Sequence, residues 1–176
     1  IMILVGSFLV GIILYGREII LVFAGEKYLE SASILFPICV GIYFNYMVTH
    51  FARIQTYYYN NTILVLLTTA CAVINITLNF VFIPLIGYKV AAYTTLISYL
   101  SFFALHLLVY YLKGFGSKKI LDIKGFIKLT IIFVSLSIVA SLASNYFIAK
   151  IIIGGIGAAL AFLFRNRLTK YAHKLL

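Results

Sequence analysis

Long apolar runs, each about as long as a bilayer crossing and separated by only a few polar residues, dominate this sequence. A membrane-spanning helix needs roughly 20 mostly apolar residues. Six runs meet that length or approach it: residues 1–24, 32–57, 62–86, 90–112, 126–143 and 146–164. Inside hydrocarbon every backbone N–H and C=O must pair within the protein, which leaves helices or closed barrels. The runs lack the two-residue alternation of barrel strands. The predicted fold class is therefore all-α, a polytopic membrane helix bundle of about six transmembrane helices forming a single transmembrane domain. Composition supports the same solvent. Of 176 residues, 64% are hydrophobic and 10% are charged, against about 25% charged in an ordinary globular domain. A soluble core of this size has too little interior to hide so much apolar surface.

The net charge of +10 does not point to nucleic acid. Binding of that kind needs a soluble basic face or an aromatic stacking platform, whereas here most Lys and Arg lie between the apolar runs. Residues 113–128 form a basic connector, with Lys113, Lys118, Lys119, Lys124 and Lys128 against Asp122. Residues 165–176 form a basic tail with Arg165, Arg167, Lys170 and Lys174. The opposite connectors hold Lys27, Lys89 and Lys150, with Glu26 and Glu30 among them. An even number of spans puts both basic clusters on one side. The positive-inside rule then predicts that the connector, the tail and the N-terminal edge are cytoplasmic. Residues 118–128, with Ile120, Leu121, Ile123 and Phe126 interleaved, suit a short amphipathic segment on anionic membrane lipid. Lys150 is expected to snorkel to the interface, and Tyr57–Tyr59, Tyr110 and Tyr111 to form an interfacial aromatic belt. Cys39 and Cys71 read as small hydrophobes. The sequence starts at Ile1, already apolar, with neither a charged leader nor a small-residue cleavage site. It is read as the C-terminal part of a longer protein.

Polar residues within the runs are the candidates for function, because ionisable groups in a span are costly and usually face a cavity or a partner. The second run carries His50 and Arg53, three residues apart and so on one helical face. The stripe extends through Tyr46, Thr49, Tyr57 and Asn60, while Phe44, Val48, Phe51 and Ile54 take the opposite side. Two readings of Arg53 stand: it holds a phosphate in a water-filled cavity, or it snorkels toward residues 57–60 and meets lipid headgroups. The third run has Thr68, Cys71, Asn75 and Asn79 in register; buried amides of this kind bond to a neighbouring helix or contact a polar substrate. Pro84 is expected to end that helix. Ala91, Ala92, Thr94, Thr95 and Ser98 at the start of the fourth run, and Gly154 to Ala158 in the sixth, favour close helix approach. His106 stands alone in its run. Arg17 and Glu18 are adjacent and point in different directions, near one membrane face.

Four acids are present, Glu18, Glu26, Glu30 and Asp122, and none lies deep in a run. That leaves no carboxylate pair for acid–base catalysis, no acidic metal cluster and no Ser/His/Asp set. The expectation is a protein that is not an enzyme, with no catalytic residues, no metal and no cofactor.

The stretch from Asn75 to Tyr99 contains an N-x3-N-x4-P-x2-G run, Asn75, Asn79, Pro84 and Gly87, followed by the small residues Ala91, Ala92, Thr95 and Ser98. It resembles Wzx-type polysaccharide flippases, as does the span end from Gly16 to Ile20 that leads into the turn from Gly25 to Tyr28. The likeness covers residues 6–112. It implies the multidrug/oligosaccharidyl-lipid/polysaccharide exporter superfamily, two six-helix lobes facing a central cavity, of which this chain would be a partial C-lobe. It further implies flipping of a polyprenyl-pyrophosphate-linked oligosaccharide across the bacterial cytoplasmic membrane by alternating access, with an N-terminal lobe of the same protein as partner. Val90 departs from the glycine that often precedes Ala-Ala in the family. The residues set against the substrate, Tyr46, Thr49, His50, Arg53, Asn75 and Asn79, come from the polarity of the spans. Alternatives are an exporter of drugs or small cations from the same superfamily, and a membrane-embedded sugar-modifying enzyme.

Overall fold

The structure, a computed structural model, describes residues 1–59, 61–114, 121–146, 150–151 and 154–155. Among these, five helices are long and apolar enough to cross a membrane, and there is no strand. They are α1 (Met2–Phe23), α2 (Leu35–Tyr59), α3 (Thr62–Ile86), α4 (Val90–Leu112) and α5 (Ile123–Ala143). The chain is a multi-pass α-helical membrane bundle. The bounds of α3 and α4 match the predicted spans, and α1 falls within residues 1–24. Asn60, Lys118, Lys119 and the tail at 165–176 lie outside the described residues. So does the predicted sixth span at 146–164, apart from Tyr146, Lys150, Ile151, Gly154 and Gly155.

The starts of α2 and α5 and the role of Pro84 differ from the sequence expectation. Between α1 and α2 the chain forms a 3-10 helix over Glu26–Ile34, entered through Gly25 at φ 86°, and α2 starts at Leu35 rather than near residue 32. α5 starts at Ile123 because the Asp122 side chain accepts a hydrogen bond from the Gly125 N–H at 3.0 Å, satisfying one of the unpaired donors of the first turn. Lys124 and Lys128 therefore lie on the first two turns of α5, and the connector is shorter than residues 113–128. Pro84 does not end α3. It sits in the last turn, where its missing N–H removes a single bond, and the helix runs on to Ile86. Gly87 ends it at φ 99°, its N–H donating to the Ile83 carbonyl at 2.9 Å.

Contacts along the helices fix their directions. Gly6 lies against Phe133 and Arg17 against Asn145, so α1 and α5 run parallel. Tyr43 stacks on Phe133, with centroids 3.9 Å apart, and His50 meets Phe126, so α2 runs antiparallel to α5. Gly41 faces Leu96 and Gln55 faces His106, making α2 and α4 parallel. α3 is antiparallel to α4, with Asn79 opposite Thr94 and Asn75 opposite Ser98. Each helix thus reverses the last, as successive crossings of one bilayer must. One end of the bundle gathers Ile1, Asn61, Lys113 and Asp122; the other gathers Phe23, Glu30, Lys89 and Ala143.

α2 is central, packed on α4 along one side and on α1 and α5 along another. Lipid tails are as apolar as Leu, so such contacts are held by close packing and hydrogen bonds rather than by expulsion of water. Gly41 shows the closeness. A Cβ there would lie 3.2 Å from the Tyr99 ring and 3.5 Å from the Leu96 Cα. Gly41→Leu should therefore push α2 from α4 at about 1.5 kcal/mol, in the usual range for overpacking. Unfolding in mixed detergent micelles reads this; an unchanged midpoint would show that the helices part without cost.

Two side chains assigned to the interface by sequence are interior. Tyr110 is buried with its ring edge-on to Phe51, and its hydroxyl accepts the Leu121 N–H at 3.2 Å. The hydroxyl serves a chain turn at the helix end, so the ring is drawn inward rather than into an aromatic belt. Lys150 does not snorkel. It is only 5% exposed and its ammonium pairs with the Glu18 carboxylate of α1. Outside the spans, the 3-10 helix is tied to the α3–α4 turn by the Lys89–Glu30 ion pair. The Glu30 carboxylate holds the Lys89 ammonium above its ordinary range. That small, exposed contribution is complete below about pH 10.4 and fades as the pH climbs through the raised folded value.

Candidate functional site

Exposure along α2 follows a helical period. Asn45, Thr49, Arg53 and Thr56 are exposed, at steps of four, four and three, while Tyr43, Met47, Phe51 and Gln55 are buried. At 1.5 Å per residue, Arg53 sits about 9 Å inside the Tyr59 end of α2, and Asn45 about 21 Å inside it, near mid-span. A polar stripe thus runs from one membrane face to the bundle midplane. Neither Asn45 nor Arg53 forms a hydrogen bond or ion pair with any described residue. Thr49 satisfies itself by donating to the Tyr46 carbonyl at 2.7 Å.

Around Arg53 the stripe widens into an open groove of about 610 Å³. Thr49, Ala52, Arg53, Thr56 and Tyr57 of α2 line it, with Leu64 of α3 across from them. A guanidinium in such a groove presents several fixed N–H donors, the arrangement that binds phosphate oxygens in pairs. Among the described residues no group of three His, Cys, Asp or Glu lies close enough to hold a metal ion.

The predicted residues divide into three groups. Thr49 and Arg53 share the exposed stripe and its groove. Tyr46 and His50 sit one facet round the helix, half-buried toward α5: the His50 ring lies edge-on to Tyr46 at 5.3 Å and to Phe126 at 5.2 Å. The His50 Nε2 is buried with no hydrogen-bond partner among the described residues. Asn75 and Asn79 are not with them. They face α4, where Thr94 donates to the Asn79 carbonyl oxygen at 2.5 Å and Asn79 donates to Asn75 at 3.0 Å. Asn75 reaches the hydroxyls of Ser98 at 3.2 Å and Thr95 at 3.4 Å. This network is the interhelical reading of the two amides, and it occupies the groups a substrate would use. Each such bond is worth only about 0.6 kcal/mol in a membrane, so Asn75→Ala should cost about 1.5 kcal/mol. A midpoint equal to that of the parent in detergent unfolding would show the network to be idle.

Sequence reasoning missed Asn45, Thr56 and Gln55. The first two follow from extending Arg53 along the helix, back by two steps of four to Asn45 and on by one of three to Thr56, a phase that the neighbouring Tyr46 and His50 disguise. Gln55 is fully buried, and its carbonyl oxygen lies 2.7 Å from the His106 Nδ1, so His106 does not stand alone. Comparison with protein families, with curated proteins and with solved structures finds no match to this chain.

Proposed function

We propose that this chain is part of a transporter that flips a polyprenyl-pyrophosphate-linked oligosaccharide across the bacterial cytoplasmic membrane, with the α2 stripe lining the path. One observation carries the reading: Asn45, Thr49, Arg53 and Thr56 are exposed along a membrane-spanning helix to its midplane. An arginine facing hydrocarbon costs about 3 kcal/mol at the centre of a span and less toward its ends, and here the stripe carries Asn45 to that centre. A helix keeps such a stripe where water or a polar cargo meets it. Hydroxyls and an amide suit the hydrogen-bonding surface of a sugar, and Arg53 suits the pyrophosphate. The resemblance of residues 75–99 to polysaccharide flippases supports the same cargo.

The charge distribution supports the direction of transport. Arg53, Lys113, Lys124 and Lys128 gather at one end of the bundle with Asp122, whereas Arg17, Lys27, Lys89 and Lys150 share the other end with Glu18, Glu26 and Glu30. By sequence the connector at residues 113–128, which meets the first end, holds five Lys, so the positive-inside rule favours that end as cytoplasmic, the side on which a pyrophosphate-linked sugar is made.

The test is Arg53→Ala in the full-length protein, reading surface polysaccharide and lipid-linked precursor together. Export should fall roughly tenfold or more, as for loss of one charge-assisted contact of about 1.5–3 kcal/mol, with intact precursor accumulating and partial recovery in Arg53→Lys. Normal export would remove Arg53 from the path, and absence of precursor would indicate an enzyme.

A further inference from the structure

The acid-poor end of the bundle, with Lys113 and Lys124, carries a second feature, separate from the α2 stripe. Lys124 and Lys128 of α5 lie one turn apart, about 6 Å along the axis. They line a shallow groove of about 410 Å³ together with Ile127, Ile131 and Ile132. All five side chains are exposed, and neither lysine pairs with an acid among the described residues. Asp122, the acid nearest in sequence, is engaged in capping the helix. Beyond Ile132 the outer face of α5 continues with exposed Ile138, Val139 and Leu142. Two cations therefore stand at the head of an apolar lane.

We propose that this face of α5 is a binding site for an anionic phospholipid of the leaflet that meets the basic end of the bundle. The lysines lie within about 8 Å of the helix start, the depth of headgroup phosphate, and Ile131 and Ile132 follow at the depth of the upper acyl chain. A zwitterionic lipid gains less from the ammonium pair, because its own cation offsets its phosphate. An acidic protein segment would satisfy the lysines but would leave the isoleucines against polar backbone, so the combination selects a lipid with an anionic head. The site makes no use of the groove at Arg53 and stands whether or not the chain moves a sugar.

The sequence contains no Trp, so Ile131→Trp places a single fluorescent reporter in the lane. The full chain carrying it is reconstituted in phosphatidylcholine bilayers containing a fixed fraction of brominated phosphatidylglycerol or of brominated phosphatidylcholine. Quenching of the introduced indole should favour brominated phosphatidylglycerol by roughly fivefold or more, the scale of one to two lysines beside an anionic headgroup. The preference should vanish in Lys124→Gln/Lys128→Gln and weaken with added salt. A reporter placed instead at Leu142, near the opposite end of α5, should show none. Equal quenching of the lane reporter by the two lipids, or a preference that survives the double Gln variant, overturns the site. Protection from both lipids overturns it too, since protein would then cover the lane.

Discussion

Glu18→Ala should lower the unfolding free energy by about 2 kcal/mol, below the cost of stranding one member of a fully buried ion pair because the Glu18 side of this one meets solvent. The pair is asymmetric: the Lys150 side chain is 7% exposed and the Glu18 side chain 51%. Removing the carboxylate leaves an ammonium enclosed by α1 with no anion, whereas removing the lysine leaves a carboxylate that water can reach. Lys150→Met should therefore cost clearly less than Glu18→Ala. Combining the two should restore much of the loss, because a well-packed apolar pair often replaces a buried salt bridge at little net cost. Among the described residues the pair is also one of three polar ties between the end of α1 and the chain after α5. Arg17 donates to the Asn145 side-chain carbonyl at 2.8 Å, and the Tyr15 hydroxyl donates to the Lys150 carbonyl at 3.2 Å. Denaturant unfolding of the three variants in mixed micelles provides the check. Equal losses for Glu18→Ala and Lys150→Met would mean that Lys150 reaches water, contrary to its burial.

The Glu18–Lys150 pair also shows where sequence reading loses its grip. The partners are 132 positions apart, and each taken alone suits an interfacial charge. Local features were legible. Thr62–Ile86 and Val90–Leu112 follow from run length and hydropathy, because the bilayer sets a length that the chain must fill. The start of α5 was not, because Lys124 and Lys128 lower the hydropathy where the Asp122 cap begins the helix. The rotation of each helix was the hardest to read. In a soluble bundle the apolar stripe marks the buried side, but in lipid both the interior and the exterior are apolar, so only polar residues report the phase. On α2 that report is split between two facets, Tyr46 with His50 and Asn45 with Thr49 and Arg53, and the choice between them needs the position of Phe126.

Gln55 tests the opposite case, a polar pair sealed inside the bundle with no anionic or cationic partner. Gln55 and His106 are both fully buried between α2 and α4. The Gln55 amide nitrogen donates to the His106 backbone carbonyl at 3.0 Å, which turns its oxygen toward the His106 Nδ1 at 2.7 Å. That oxygen can only accept, so Nδ1 carries the proton and Nε2 faces the interior with no partner among the described residues. Gln55→Leu removes the acceptor and leaves a buried N–H unsatisfied, at about 2.5 kcal/mol, toward the upper end of that penalty. His106→Leu instead leaves the Gln55 amide its backbone bond, and should cost less. With both replaced by Leu no polar group is stranded and the cavity closes with apolar side chains, so the double variant should lie within about 1 kcal/mol of the parent. The four proteins form a cycle whose coupling should reach about 2–3 kcal/mol, toward the upper end for directly bonded neighbours. Coupling near zero would mean that water already satisfies the imidazole, and α2 and α4 would then be held by close packing, at Gly41 and between Phe51 and Tyr110.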